Sequence, residues 1–166
     1  YGTLHDNSED YPKRKLTFNA VENGSITASS ESPYYDFDAL ATFFATPEPG
    51  YVFGSWTGDE TGTDEAKIVV MDSDKSIGAT FSPDTEDSDG DGISNYEEAV
   101  KYGSDPDDPG SVPRYIYEAV GETVTITKWN DQSESEIIIP EFIAGKRVTV
   151  IGDKSFRGLF DLISIT

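Results

Sequence analysis

The sequence predicts a mainly β chain: a small all-β module, an acidic loop carrying one short helix, and a second β-rich unit. Three observations predict it. Apolar and polar residues alternate with period two in both halves, as in strands with one buried face. Turn signals separate these runs, at Asn23-Gly24, at Pro47-Glu48-Pro49-Gly50 and at Asp72-Ser73-Asp74. Between the halves lies a stretch, residues 87–98, with acids at alternate places. The expected divisions are a tail at 1–14, a β module at 15–83, a loop-helix connector at 84–112 and a second unit at 113–166.

The first fourteen residues are polar and charged, with no apolar core of a leader segment. His5, the single histidine, reads as an exposed tail residue. In the β module, Leu16, Phe18 and Ala20 alternate with polar residues, and Ile26 and Ala28 continue on an expected return strand. Asn23-Gly24 reads as the hairpin turn joining them, with positive φ at both positions. Further strands are expected at 39–46 and 51–56, with a last pair at 67–71 and 76–81. Short strands at regular spacing argue a small sandwich or roll. Trp56 is expected in the core, while Tyr34 and Tyr35 sit in a polar loop where either burial or exposure fits.

Several fragments of this module have a familiar order: Leu16-Thr17-Phe18, Asn23-Gly24-Ser25-Ile26, Ala45-Thr46-Pro47, Gly50-Tyr51-Val52-Phe53, Trp56, and Met71-Asp72-Ser73-Asp74-Lys75-Ser76 with Ala79-Thr80-Phe81. The module resembles the divergent internalin-type B-repeat family of bacterial surface and secreted proteins. That resemblance implies a spacer or adhesive module, not a catalyst.

The acidic stretch has the order of a calcium loop. Calcium takes about six to eight hard oxygens in a flexible shell. Asp87, Asp89 and Asp91 hold loop positions 1, 3 and 5, and Gly92 holds position 6, where the chain turns sharply. Ile93 at position 7 offers a backbone carbonyl, and Glu98 at position 12 stands at the place of the closing carboxylate. A solvated acidic linker needs acids, but not this order of acids. Ser94 with Glu97 three residues on forms a capping box, so a helix is expected over 95–102, ending at Gly103. Tyr96, Ala99 and Val100 are then free to pack on a neighbouring module.

This is not a full EF-hand, since Phe81-Ser82-Pro83-Asp84 reads as a strand end and turn in place of an entering helix. With the tail Gly103-Ser104-Asp105-Pro106-Asp107-Asp108-Pro109, it resembles the calcium-binding repeats related to thrombospondin type 3 repeats. The resemblance implies ligation of Ca2+ by the side chains of Asp87, Asp89, Asp91 and Glu98 and by the carbonyl of Ile93. A second ion on Asn95, Asp105 or Asp107 is left open.

The proline-rich segment 106–113 is expected to be a stiff, extended connector. Beyond it Val124 and Ile126 alternate with threonines, and Ile137-Ile138-Ile139 ends at Pro140. Gly145-Lys146-Arg147-Val148-Thr149-Val150-Ile151-Gly152 follows, then Phe156, Leu159, Leu162 and Ile165. This pattern resembles the opening of a BspA-type leucine-rich repeat array, with Ser155 where that family usually has alanine. The resemblance implies an N-terminal cap unit, truncated here, whose exposed edge is open to self-association.

Composition narrows the function. With no cysteine, thiol catalysis, disulfides and zinc thiolate sites are excluded, and a lone tail histidine leaves few nucleophile-plus-base arrangements. Net charge is −20, and residues 84–108 carry ten acids against one base, Lys101. Such a chain repels nucleic acid and anionic lipid, and no stretch approaches the length of a membrane span. The expectation is a non-enzymatic piece of a longer bacterial extracellular or surface protein: a calcium-stiffened spacer or adhesion segment with a protein or glycan ligand outside the cell. The alternative is an accessory carbohydrate-binding region of a secreted glycan-active enzyme.

Overall fold

The structure is a computed structural model that describes residues 12–130, 136–158 and 164–165. His5, Leu159 and Leu162 lie outside the described residues, as does the side chain of Ile165. The fold is mainly β in small sheets, with one short helix among the described residues. In the first unit the strands are β1 (Arg14–Phe18), β2 (Gly24–Ala28), β3 (Tyr34–Tyr35), β4 (Leu40–Pro47), β5 (Tyr51–Gly58), β6 (Ala66–Val70) and β7 (Lys75–Pro83). They form two sheets, β3-β1-β7-β5 and β2-β4-β6. The expected sandwich is therefore present.

The alternation explains the layering. On β4, Ala41, Phe43 and Ala45 are buried while Leu40 before them and Phe44 among them are exposed. The inward residues share a core with Leu16, Trp56 and Ile77 of the other sheet, with Val69 of the neighbouring β6 and with Met71 just after it. Phe43 is central, edge-on to Trp56 at 4.8 Å and to Phe18 at 5.8 Å between ring centroids. Burying each such large side chain is worth about 1.5–3 kcal/mol. Trp56 is a core residue as expected, and its indole N–H donates to the Asp64 carbonyl at 2.7 Å.

Two expected neighbour relations are corrected. Asn23-Gly24 does not close a β1–β2 hairpin: β1 runs parallel to β7, and β2 pairs antiparallel with β4 in the other sheet. Asn23 does take φ 64°, but the bend carries the chain from one sheet to the other. Gly24 is not among the positive-φ glycines, and it is small for another reason: a Cβ there would lie 2.5 Å from the Phe81 ring. Likewise β6 and β7 are not partners, since β6 pairs with β4 and β7 with β5 and β1. Period-two patterning sets which face is buried, not which strand lies alongside.

The exit helix (Glu97–Tyr102) follows the acidic loop, preceded by an α-helical turn at Asn95 and Tyr96. It ends where expected, at Gly103 with φ 71°. Its turns are wider than α, because the Gly103 N–H reaches the Glu98 carbonyl five residues back. Half of the capping box forms: the Glu97 N–H donates to Ser94 Oγ at 3.4 Å, but the Glu97 carboxylate turns to Lys101 Nζ at 3.1 Å.

The segment after the helix is not extended as expected. Two successive turns close it, with the Asp108 N–H on the Asp105 carbonyl and the Ser111 N–H on the Asp108 carbonyl. The Asp105 and Asp108 side chains favour them by accepting the N–H groups of Asp107 and Gly110.

The second unit holds β8 (Tyr115–Val120), β9 (Thr123–Trp129), β10 (Glu136–Ile137), β11 (Phe142–Ile143), β12 (Lys146–Ile151) and β13 (Ser164–Ile165). Its main sheet has the order β11-β12-β9-β8, with β9 and β12 parallel, and β10 pairs with β13. Val124 and Ile126 are buried as the alternation predicted, and they share a core with Tyr117 and Ile143.

Candidate metal centre

The acidic loop starts where β7 ends. Its entry is tied to the first unit, because the Asp84 N–H donates to the Gly50 carbonyl and the Tyr96 N–H donates to the Asp84 carbonyl. Asn95 braces the inside. Its Oδ1 accepts the Ser88 N–H at 3.0 Å, and its Nδ2 donates to Asp84 Oδ2 and Ser88 Oγ, each at 2.8 Å. Asn95, left open as a ligand to a second ion, has both of its side-chain polar atoms engaged in holding the loop.

Within this frame the aspartates turn inward. Asp87 accepts the N–H groups of Gly90 and Gly92 on its two oxygens. Asp89 Oδ1 accepts the Asp91 N–H, and Asp91 Oδ1 accepts the Ile93 N–H. These bonds wrap the backbone around the carboxylates, and Gly90 and Gly92 take positive φ to allow it. One carboxylate oxygen from each of Asp87, Asp89 and Asp91 lies within 4.8 Å of the others. Among the described residues this is the one acidic cluster so arranged.

Glu98 approaches from the exit helix. It is fully buried, and its Oε1 accepts the Ser104 hydroxyl at 2.9 Å. It stands outside the 4.8 Å aspartate group. Burial pushes its carboxyl up, the Ser104 hydroxyl opposes this, and the charges of Asp91, Asp89 and Asp87 push it further. Asp89 is raised for the same main reason, burial, with Asp91 and Asp87 adding to it. Ile93 places a buried side chain beside the loop.

Three oxygens remain over. Asp89 Oδ2, Asp91 Oδ2 and Glu98 Oε2 are buried with no hydrogen-bond partner. Buried anionic oxygens without partners are costly, and like charges this close repel. Oxygens of this kind are the ligands that hard dications take, and a positive ion offsets repulsion between carboxylates. The donor set is oxygen only, which suits calcium or magnesium over zinc or copper.

Comparison with known families agrees with this geometry. Residues 87–109 match the bacterial TSP3 repeat. TSP3 repeats bind calcium in general. Residues 14–85 match the divergent InlB B-repeat domain, which ends just before the TSP3-like segment begins. Both families are typical of bacterial surface and extracellular multi-domain proteins. No curated protein and no solved structure matches the chain.

The acids were legible beforehand, but the supporting residues were not. Asp84, Ser88 and Ser104 hold the TSP3-like loop in place, yet small polar residues are common in any loop. The packing of the helix was legible. Tyr96, Ala99 and Val100 lie against Gly50, and Tyr96 stacks edge-on to Tyr51. On its other end Tyr102 stacks edge-on to Tyr117, with centroids 5.5 Å apart.

Proposed function

We propose that this chain is a non-catalytic, calcium-stiffened joint in a bacterial extracellular or surface multi-domain protein. The Asp87, Asp89, Asp91 and Glu98 side chains and the Ile93 carbonyl hold the ion. The observation that carries this reading is the trio of buried, partnerless carboxylate oxygens beside a helix that touches both β units. Calcium neutralises the loop, fixes Glu98 and so fixes the helix between its two ring contacts. The first unit acts as a spacer, and the second opens a leucine-rich array that presents a binding face. Parallel pairing supports the array: Thr123 aligns with Arg147 and Glu136 with Ser164, spacings within the range of about 20–29 residues of one such repeat.

For the alternative of sugar binding, Trp56 is 2% exposed with its indole N–H bonded and offers no stacking face, whereas Tyr34 is exposed. Among the described residues no helix is long and apolar enough to cross a membrane.

The test is a melting curve with calcium and with chelator, for the wild type and Asp89→Ala. An ion at ~100 times its dissociation constant adds about 2.7 kcal/mol to the folded state. Calcium should raise the wild-type melting temperature and leave Asp89→Ala nearly unmoved. Identical wild-type curves in calcium and chelator would refute the joint.

A further inference from the structure

The edge of a sheet is a row of backbone N–H and C=O groups that another strand can pair with, so edges are normally short, bulged, charged or covered. Most edges of this chain are managed in one of these ways. β3, β10, β11 and β13 have two residues each. β5 is bulged between Phe53 and Ser55, and β8 between Ile116 and Tyr117. Among the described residues two edges remain, β2 and β6, and both pair with β4 without a break in register. They differ in what they show to solvent. β2 shows Ser25 and Thr27, whereas β6 shows Ile68 at 63% and Val70 at 46% exposure.

The ladder leaves half of the β6 backbone facing out. The Ala45 N–H donates to the Glu65 carbonyl and the Met71 N–H to the Ala39 carbonyl, each at 2.8 Å. Antiparallel bonding recurs at every second residue, so Lys67 and Val69 also face β4. The N–H and C=O groups of Ala66, Ile68 and Val70 then point away from it. Lys67, the one charge on the strand, is tied to the preceding loop: its Nζ donates to the Thr61 carbonyl at 2.7 Å and pairs with Glu60 at 3.5 Å.

Charge is distributed unevenly around this edge. Ile68 and Val70 lie beside Thr42 and Leu40, and the outward positions of β2, β4 and β6 are all uncharged. Both ends of β6 are acidic. Exposed Asp64 and Asp72 stand two residues beyond either end, and the Asp38 N–H donates to the Met71 carbonyl at 3.1 Å.

We propose that β6 accepts an extended peptide of another protein as an added strand, one with apolar residues at alternate places and a lysine or arginine at each end. Main-chain bonds to Ala66, Ile68 and Val70 supply affinity, the apolar residues continue the face formed by Leu40, Ile68 and Val70, and the basic ends meet the acids. A second copy of this chain fits less well. Antiparallel pairing centred on Ile68 sets Asp64 of one copy against Asp72 of the other, between chains of net charge −20. The edge belongs to the first unit and shares no residue with the metal centre, so this reading and the calcium reading can fail separately.

Backbone amide exchange followed by NMR reads the edge residue by residue. The probe is acetyl-Lys-Thr-Val-Thr-Ile-Thr-Val-Thr-Lys-amide, and its control carries glutamate in place of both lysines. In the free chain Lys67 and Val69 should exchange slowly, and Ala66, Ile68 and Val70 fast. The lysine peptide should slow these three saturably, and the glutamate peptide should not. Ile68→Lys puts a charge into the uncharged face and should weaken binding about tenfold or more. Asp64→Asn, at an exposed site, gives a second reading should the Ile68 variant unfold, and should weaken binding roughly two- to fivefold, the worth of an exposed charge pair. Slow exchange at all three amides in the free chain, protection that grows with the concentration of the chain alone, equal protection by both peptides, or indifference to both substitutions overturns the proposal.

Discussion

Tyr51 on β5 and Tyr96 at the head of the exit helix meet edge to face, with ring centroids 5.3 Å apart and planes at 83°. Beside them Gly50 lies so close to the helix that a Cβ would come within 3.0 Å of Val100 Cγ2 and 3.2 Å of Tyr96 Cα. Gly50→Ala should therefore cost about 1–3 kcal/mol, partly from φ +81° and partly from pushing the helix off. Gly121→Ala is the control, since its φ is +57° and nothing lies within 4 Å. Urea unfolding of the two variants should show the larger loss at Gly50. Equal losses would mean that the helix is not held there.

Glu98→Gln keeps the shape and removes the charge. Calcium affinity should fall by roughly 10- to 100-fold, the worth of a charged contact. The calcium-free protein should become no less stable, because burial and three aspartates already oppose the Glu98 charge. Calorimetric titration and chelator melts together check both halves of this.

The raised carboxyls set a pH dependence. Without calcium, folded Glu98 and Asp89 hold protons more readily than they do unfolded. Their contribution is then fully present below the ordinary carboxylate range and is lost as pH rises through the raised folded values. Calcium-free stability should therefore fall as pH climbs through that window. With calcium bound the carboxylates are held ionised, and stability should rise with pH over the same window. Denaturant midpoints measured at several pH values in chelator and in calcium should show slopes of opposite sign.

Asn95 and Ser155 are both buried polar residues with contrasting roles. Asn95→Ala removes three hydrogen bonds and strands the Ser88 N–H, so it should cost about 1–3 kcal/mol. Ser155 Oγ contacts the carbonyls of Ile126 and Gly152, but those carbonyls also accept the N–H groups of Gly152 and Ser155. Ser155→Ala should cost under about 1 kcal/mol. Thermal unfolding that ranks them the other way would contradict this.

Strand positions and buried faces were readable from alternation, as Leu16 and Ile126 show. Strand partners were not readable. Leu16 pairs with Lys75 across most of the first unit, and no local signal carries such a distant relation. At the metal centre, acid spacing is a local pattern and was visible. The wide turn ending at Glu98 and the Asn95 brace arise from tertiary fit, which leaves no mark on residue order.

The acidic loop lies in series between Pro83 at the end of β7 and Tyr115 at the start of β8. A pull along the backbone loads this segment and both flanking units with the same tension. The Tyr51–Tyr96 and Tyr102–Tyr117 ring contacts must part for the segment to lengthen. Ion occupancy at Glu98 would then act as a mechanical fuse, setting the tension at which the molecule first yields.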